Sequence, residues 1–376
     1  MEFITMKNFL LVLFTFCAGS LWAQTDSTLV KELKFTGDFR FRIEHDWNSR
    51  KADGTYRADR SRLRYRFRFG MQYQLDTYSS FGARVRTGNL LDQQGPHVTL
   101  GANTGEFGLV SVGFEKVYYQ LDYKKIKFWI GKNTLPLTKL HEVFWNDNVF
   151  PEGAGLTAKL NEQWTLNSGH FIVRSNGGQF GTDAYFQMVQ SVHDWSTSGI
   201  KVFPALYRFE NISNMPEKGT WTLDYLVLHL GGQFRISQKP FCSIGLELYE
   251  NITDYSAHQD MLDAFKDQTR GLVSTLQVGE TKKKGDWKVI LYLAEIQKYA
   301  FVDYFAQNDW ARWDYSSLGA TGSRLTNFRG AELRIVYLVK PNFDINLRTY
   351  LVEDLVQTGA FQENGSRIRL DMNIKF

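Results

Sequence analysis

Polar and apolar residues alternate along a stretch near the start of the chain, DRSRLRYRFRFGMQYQL, which runs from Asp59 to Leu75. Arginine occupies every second position from Arg62 to Arg68, and an apolar residue follows each arginine. Side chains of a β-strand point alternately to its two faces, so the arginines share one face and the apolar residues the other. On an α-helix the same order would spread charge all round and leave no apolar stripe. The pattern therefore predicts a strand whose two faces meet different surroundings.

The same alternation recurs along the chain and continues to its end. Segments that begin at Phe39 and Phe81 repeat it, and so do the last ten residues, RIRLDMNIKF. One face of that final segment carries Ile368, Leu370, Met372, Ile374 and Phe376. A soluble β-sandwich also alternates in this way, because it buries one face of each sheet and wets the other.

Three features favour an all-β transmembrane antiparallel β-barrel over the sandwich. Many of the segments span ten residues or more, the length that a tilted strand needs to cross a bilayer. Short turns alternate with longer loops, and the chain ends on Phe376 at the close of an amphipathic strand, as in the assembly signal of outer-membrane barrels. A closed barrel also pairs every backbone group without leaving an exposed edge, which hydrocarbon requires.

The segments predict sixteen strands, with short periplasmic turns, long extracellular loops and both termini on the periplasmic side. An eighteen-strand barrel is the alternative, if one more hairpin lies within 183–209 or 297–322. Aromatic residues near the short turns predict an interfacial girdle. The sixteen segments are 33–46, 61–76, 79–92, 108–123, 126–133, 153–161, 163–174, 183–193, 198–209, 219–236, 241–252, 270–279, 285–296, 323–339, 343–354 and 365–376.

The N-terminus has the features of an export signal. Lys7 is followed by a short apolar run from Phe9 to Phe16, too short for a comfortable membrane anchor, and then by small residues. We expect cleavage after Ala23, which makes residues 1–23 a signal peptide and residues 24–376 a single outer-membrane β-barrel domain. Only Cys242 then remains, so the mature chain cannot form an intramolecular disulfide.

Composition supports a protein that is apolar at alternate positions rather than in blocks. Of the 376 residues, 15% are aromatic while 22% are charged, and the formal net charge is only +4. So small an excess says little about a nucleic-acid partner, and export argues against one. The expected location is the bacterial outer membrane, with its lipid and the barrel-assembly machinery as partners.

With the apolar faces toward lipid, the polar faces of the first and last strands line the lumen. Neighbouring strands lie about 4.8 Å apart, so their guanidinium groups form one basic wall. Such a wall concentrates anions and repels cations in a confined passage. The alternative is a structural network in which the arginines pair with Glu44, Asp46, Asp59 or Glu332 and fill the lumen. The predicted wall consists of Arg40, Arg42, Arg62, Arg64, Arg66, Arg68, Arg84, Arg86, Arg367 and Arg369.

Four segments, in order, resemble the putative porins of Bacteroidota: GDFRFRIEHD, DRSRLRYRFRFG, SFGARVRTGN and WNDNVFPEGAG. Alginate-export-type barrels have similar arginine-alternating first strands. The resemblance implies an outer-membrane channel for passive diffusion of small hydrophilic solutes, and the arginines make anions the expected class. Porins are often trimers, but no feature of the sequence requires a homo-oligomer.

In general porins the loop after the fifth strand folds inward and narrows the channel. Here that loop, residues 134–153, carries Glu142, Asp147 and Glu152, which we expect to face the arginine wall as constriction-loop acids. Phe144, Trp145 and Phe150 are expected to hold the loop inside the barrel; the alternative is an exposed loop that contacts a partner. Phe376 is the expected assembly signal.

Other classes of function find less support. None of the seven histidines has a neighbouring sequence typical of a catalytic nucleophile, so we expect no enzyme and no cofactor. Adjacent pairs such as His45–Asp46 point to opposite faces of a strand and do not chelate, so no metal is expected. The second candidate is a plugged barrel that serves as a scaffold in a larger outer-membrane assembly, with Trp310 and Trp313 of a long loop at its partner surface.

Overall fold

Sixteen long antiparallel strands form the wall of a closed β-barrel. The computed structural model describes residues 32–102, 106–178, 180–215, 219, 221–310 and 325–376. Each strand pairs with the next along the chain, and β1 closes the barrel by pairing with the last strand. A seventeenth strand, β4, has two residues and extends the edge of β2 inside a loop.

The predicted number of barrel strands is confirmed. Besides the strands, the described residues include one helical turn at Asp263–Lys266 and 3₁₀ turns at Phe180–Thr182 and Asp303–Phe305. No helix in these ranges is long and apolar enough to cross a membrane. The strands are β1 (Leu33–Trp47), β2 (Arg60–Gln74), β3 (Ser79–Thr87), β4 (Val98–Thr99), β5 (Val112–Tyr123), β6 (Ile126–Lys132), β7 (Glu152–Lys159), β8 (Trp164–Arg174), β9 (Ala184–Trp195), β10 (Ile200–Ser213), β11 (Thr222–Gln238), β12 (Phe241–Asn251), β13 (Arg270–Gly279), β14 (Trp287–Ile296), β15 (Phe328–Lys340), β16 (Phe343–Asp354) and β17 (Asn364–Lys375).

Several predicted strand ends are wrong, most of all around the loop between β3 and β5. The third predicted strand continued to residue 92, whereas β3 ends at Thr87. Gly88 follows with φ of 107°, and a Cβ there would lie 2.3 Å from the carbonyl oxygen of Gly95. The chain therefore turns sharply at a position that suits glycine. Within the described ranges no additional barrel hairpin occurs, while 311–324 and the predicted signal peptide lie outside them.

The strands alternate between an apolar outer face and a polar inner face, as β17 illustrates. Ile368 and Ile374 are exposed on the outside, while Arg367, Arg369 and Asp371 are almost fully buried inside. Exposed aromatic side chains cluster near the short turns, which agrees with the predicted girdle. These are Tyr78, Tyr123, Trp164, Trp195 and Trp287.

Phe376 lies where the barrel closes. Its backbone N–H donates to the carbonyl oxygen of Gly37 (3.0 Å), and its own carbonyl accepts from the Gly37 N–H (2.8 Å). Its ring faces lipid and stacks on Phe67 of β2, with 6.4 Å between ring centroids. The last residue thus bonds to β1 and packs on β2, so it joins the two ends of the barrel wall.

Deleting Phe376 is expected to lower the amount of folded barrel in the outer membrane, because the closing pair of strands loses two hydrogen bonds and a ring contact. The measurement is the fraction of chain that migrates as folded, heat-modifiable barrel in membrane extracts. Phe107→Ala is the control, since Phe107 is fully exposed in a loop. Insertion of the truncated chain at the wild-type level would contradict a role of Phe376 in assembly.

Candidate functional site

The loop between β6 and β7, residues 133–151, crosses the barrel interior. The backbone N–H of Thr138 donates to the side chain of Gln190 on β9 (2.8 Å). The N–H of Leu140 donates to the Glu247 carboxylate on β12 (2.9 Å). These acceptors lie on strands that are not neighbours of β6 or β7, so the loop spans the lumen rather than covering its rim.

Aromatic side chains hold the loop in place and fill one side of the interior. Phe144 is 2% exposed and stacks on Tyr207 (4.5 Å between centroids) and on Tyr249 (5.4 Å). Trp145 stacks on Phe186 (5.2 Å). Phe150 is also buried and lies beneath cationic side chains of β3 and β5. The structure thus places the three predicted loop aromatics inside the barrel.

The opposite side of the interior contains a cavity of about 280 Å³. Eight of the ten predicted wall arginines line it, and Arg348 of β16 is a ninth that the sequence did not single out. Four carboxylates from loops also line it, namely Asp92, Glu142, Asp147 and Asp309. The wall arginines that line the cavity are Arg40, Arg42, Arg62, Arg64, Arg66, Arg68, Arg367 and Arg369.

Carboxylates of β1 sit between these arginines and pair with them. The register places Glu44 opposite Arg62 on β2 and opposite Arg369 on β17. Both arginines donate to Glu44, with 2.8 Å from Arg369 Nε. Asp46 likewise accepts from Arg367 Nε (2.5 Å) on one side and from Arg60 (2.8 Å) on the other.

Two more carboxylates pair with arginines farther along the wall. Asp38 accepts from Arg66 (2.6 Å) and from Arg68 (2.7 Å). Asp371 of β17 accepts two hydrogen bonds from Arg42, at 2.6 and 2.9 Å. The structural pairing left open from the sequence is therefore present for most of the wall, through the anticipated Glu44 and Asp46 and through Asp38 and Asp371, which were not anticipated.

Three cavity-lining arginines have no carboxylate oxygen at hydrogen-bonding distance among the described residues. The nearest one lies 3.7 Å from Arg40, 3.7 Å from Arg64 and 3.6 Å from Arg348. Arg40 donates instead to the amide oxygen of Asn373 (2.6 Å). Arg348 lies within 4 Å of three carboxylates, whereas Arg40 and Arg64 each have one at 3.7 Å and are the less committed charges.

Arg84 and Arg86, the other two predicted wall arginines, are not among the residues that line this cavity. A bulge in β5 turns Glu115 inward, and Arg84 Nε donates to it (2.6 Å). Arg86 donates to the carbonyl oxygens of Asn89 (3.1 Å) and Asp92 (2.8 Å). Both arginines are used to hold local structure, because the loop after β3 folds over them.

The three predicted loop acids have different surroundings. Glu142 lies 3.6 Å from Arg348. Asp147 pairs with Lys139 (2.6 Å); burial works to raise the pKa of Asp147, but the Lys139 ammonium outweighs it and lowers this pKa below its ordinary value. Glu152 is a correction: it is the exposed first residue of β7 and pairs with Lys132 directly across the strand pair. The register of β6 and β7 therefore keeps Glu152 out of the cavity.

Two loop residues that the sequence did not single out complete the cavity's charge pattern. Burial works to raise the pKa of Asp309, but Arg369 and Arg42 outweigh it and hold this pKa well below its ordinary value. Burial lowers the pKa of His97, and the neighbouring arginines lower it further. At neutral pH Asp309 is therefore ionised and His97 is neutral. Both residues lie in loops, outside the alternating pattern of the strands, so nothing in that pattern pointed to them.

A second polar cluster anchors the inward loop at Glu247, which is fully buried. His141 of the loop lies 2.8 Å from its carboxylate, and His229 of β11 lies 3.1 Å away. The hydroxyl of Tyr249 donates to the same carboxylate (3.2 Å). In the part of the chain that the structure describes, no group of three or more histidine, cysteine or acidic residues is placed to hold a metal ion.

Residues 54–228 match a protein family described as "Putative porin". The resemblance to putative porins is confirmed over these residues, which include three of the four motifs. Among curated proteins, no sequence matches this chain.

Solved porins share the fold. The high-pH structure of Pseudomonas putida OprB is 10% identical, with a TM-score of 0.57, over 92% of this chain and 94% of that one. A mutant of the Rhodopseudomonas blastica porin is 10% identical, with a TM-score of 0.52, over 92% and 100%. Salmonella typhi OmpF in complex with daunomycin is 8% identical, with a TM-score of 0.54, over 92% and 98%. Identities this low establish the fold alone; with the family match, they support an outer-membrane β-barrel and a passive channel.

Proposed function

We propose that this protein is an outer-membrane porin that lets small hydrophilic anions diffuse through its arginine-lined lumen. One observation carries the proposal: nine arginines and four carboxylates line the cavity. Guanidinium groups stay charged at any physiological pH, so the lining is positive throughout that range. A lining of one predominant sign in a confined passage raises the local concentration of the opposite ion.

Placement of the charges matters more than their sum. Asp38, Glu44, Asp46 and Asp371 pair with arginines of the wall but do not themselves line the cavity. When these four are added to the four carboxylates of the lining, the negative charges nearly equal the positive charges of the nine arginines. An ion in the cavity nevertheless approaches the guanidinium groups first, since the paired carboxylates lie beneath them. Glu142 and Asp147 enter the cavity from the inward loop and add a transverse field.

A plugged scaffold is the second candidate, because aromatic side chains fill one side of the interior. Trp310, a predicted partner contact, is 2% exposed and packs inside on Phe328 (5.3 Å) and Tyr350 (5.8 Å). That position favours plugging, yet it removes Trp310 from any partner surface. Trp313 lies outside the described residues.

Conductance in planar lipid bilayers separates the two candidates. A porin is expected to give steady single-channel openings, and its reversal potential across a potassium chloride gradient is expected to show a preference for chloride at low salt. The preference should fade near 1 M, where the Debye length falls to about 3 Å. A folded barrel that conducts nothing would reject the porin, and a conducting barrel without chloride preference would reject the anion selectivity.

A further inference from the structure

Arg40 and Arg64 stand out among the wall arginines because neither has a carboxylate oxygen closer than 3.7 Å. Their neighbours Arg42 and Arg66 are committed to Asp371 and Asp38, each at 2.6 Å. The register of β1 and β2 pairs Arg40 with Arg66 and Arg42 with Arg64. Arg40 and Arg64 are therefore diagonal neighbours on the inner face, about 7–8 Å apart at the backbone, within reach of one shared ligand.

Unused hydrogen-bond donors lie in the same place. The Nε atoms of Arg62, Arg64 and Arg66 are buried and have no hydrogen-bond partner, although all three residues line the cavity. Arg66 as a whole is 4% exposed. Buried donors in proteins almost always have an acceptor, because leaving one unpaired is costly. These Nε atoms are covered by protein atoms, so an incoming anion would meet the terminal N–H groups of the arginines that line the cavity.

His97 adds a neutral group to this set. It lies in the loop after β3, and its carbonyl oxygen accepts from Arg64 Nη2 (3.3 Å). Its Nε2 is buried without a partner and belongs to the cavity lining. Burial and the surrounding arginines lower the pKa of His97, so the ring is neutral and its Nε2 is either a donor or an acceptor, depending on the tautomer.

The carboxylates on the loop side of the cavity are already engaged by other arginines. Asp309 pairs with Arg369, and Tyr350 donates to it (3.3 Å). Glu142 lies between Arg334 and Arg348, at 3.9 and 3.6 Å. These two carboxylates therefore face cations of β15, β16 and β17, and Asp147 pairs with Lys139 of the inward loop, which leaves Asp92 as the remaining carboxylate of the lining.

We infer that Arg40 and Arg64, with Arg62, Arg66 and His97 beside them in the cavity lining, form a saturable binding site for a small phosphate-class oxyanion. The inference rests on the proposed channel and gives it a substrate class. A guanidinium donates through a fixed fork of N–H groups that matches the spacing of oxygen atoms in an oxyanion. Chloride offers one acceptor atom whereas phosphate offers several oxygens, so two guanidiniums together can engage phosphate through more donors than chloride.

The test measures how inorganic phosphate reduces the chloride current of the wild-type barrel in planar bilayers at about 0.1 M salt, where charges interact over about 10 Å. The reduction is expected to saturate. Arg40→Gln with Arg64→Gln should raise the half-blocking phosphate concentration tenfold or more, a factor that corresponds to about 1.4 kcal/mol. Arg270→Gln with Arg329→Gln is the matched control, because both side chains are more than half exposed and pair with glutamates outside the cavity.

A second variant distinguishes the contribution of the paired N–H donors from that of the positive charge. Arg40→Lys with Arg64→Lys keeps both positive charges but removes the paired donors, and it is expected to lose phosphate block as well. Wild-type block in the lysine variant would overturn the inference and leave charge alone as the explanation. Folded migration in gels confirms that each variant forms the barrel.

The remaining outcomes distinguish failure of the site from failure of the channel. A chloride-selective current that phosphate reduces without saturation would overturn the site and leave the porin standing. A silent barrel would overturn the porin, and calorimetric titration of the folded protein with phosphate would then decide the site. Equal block by succinate and phosphate would overturn the phosphate class and extend the site to carboxylates.

Discussion

Glu247→Ala is expected to release the inward loop and increase single-channel conductance. The Glu247 carboxylate accepts the Leu140 N–H (2.9 Å) and lies 2.8 Å from His141, so it contacts the loop at two successive residues. Alanine removes both contacts and also leaves His229 and Tyr249 without their shared acceptor. Leaving buried hydrogen-bonding groups without their partner costs roughly 1–3 kcal/mol. A loop that moves from the centre of the lumen widens the path for ions.

Glu250→Ala is the matched control for this change. Glu250 lies on the same strand, but its side chain is exposed and pairs with an exposed Arg270. Exposed ion pairs contribute only about 0–1 kcal/mol, so conductance and stability should stay near wild type. Glu247→Gln should fall between the two, because it keeps an acceptor but loses the charge. Wild-type conductance and wild-type protease resistance of the loop in Glu247→Ala would show that aromatic packing alone holds the loop.

The strands were predictable because lipid and lumen act on them at every second residue. The alternation from Arg62 to Arg68 assigns each side chain to a face without any knowledge of its neighbours. Strands β12 and β16, whose ends are marked by turns, were placed within one residue of their observed bounds. The third strand was predicted to continue to residue 92 because the alternation alone did not mark the sharp turn at Gly88, where β3 ends.

The partners of the charged residues could not be predicted in the same way. Asp38 serves both Arg66 and Arg68 only because of the register between β1 and β2, and a shift of one residue would turn each side chain to the other face. Asp309 and Glu247 belong to the sites through contacts across the lumen with segments far away in sequence. Glu152 shows the converse. Its negative charge led us to predict a place facing the arginines of the cavity, but the strand register places it opposite Lys132.

Replacing Arg64, Arg66 and Arg68 together by glutamine is expected to abolish the preference for chloride and to move the reversal potential toward that of a cation-selective pore. The change removes three positive charges from the cavity lining. It also deprives Asp38 of the two guanidiniums that it pairs with, at 2.6 and 2.7 Å, so a carboxylate that was neutralised becomes an active negative charge. Glutamine is uncharged and comparable in length, so the strand and its outer face remain as they are.

The control for this variant is a second triple substitution, Arg208→Gln, Arg270→Gln and Arg329→Gln, which removes the same charge from exposed positions. Reversal potentials of wild type and both variants are measured across a tenfold potassium chloride gradient at low salt, where screening is weakest. Only the lumen variant should lose chloride preference. Asp38→Asn should have the opposite effect on the reversal potential. It removes the carboxylate that neutralises Arg66 and Arg68, so the preference for chloride should increase. An unchanged reversal potential in the lumen variant would mean that internal pairing already cancels these arginines, and the anion-selective pore would have to be abandoned.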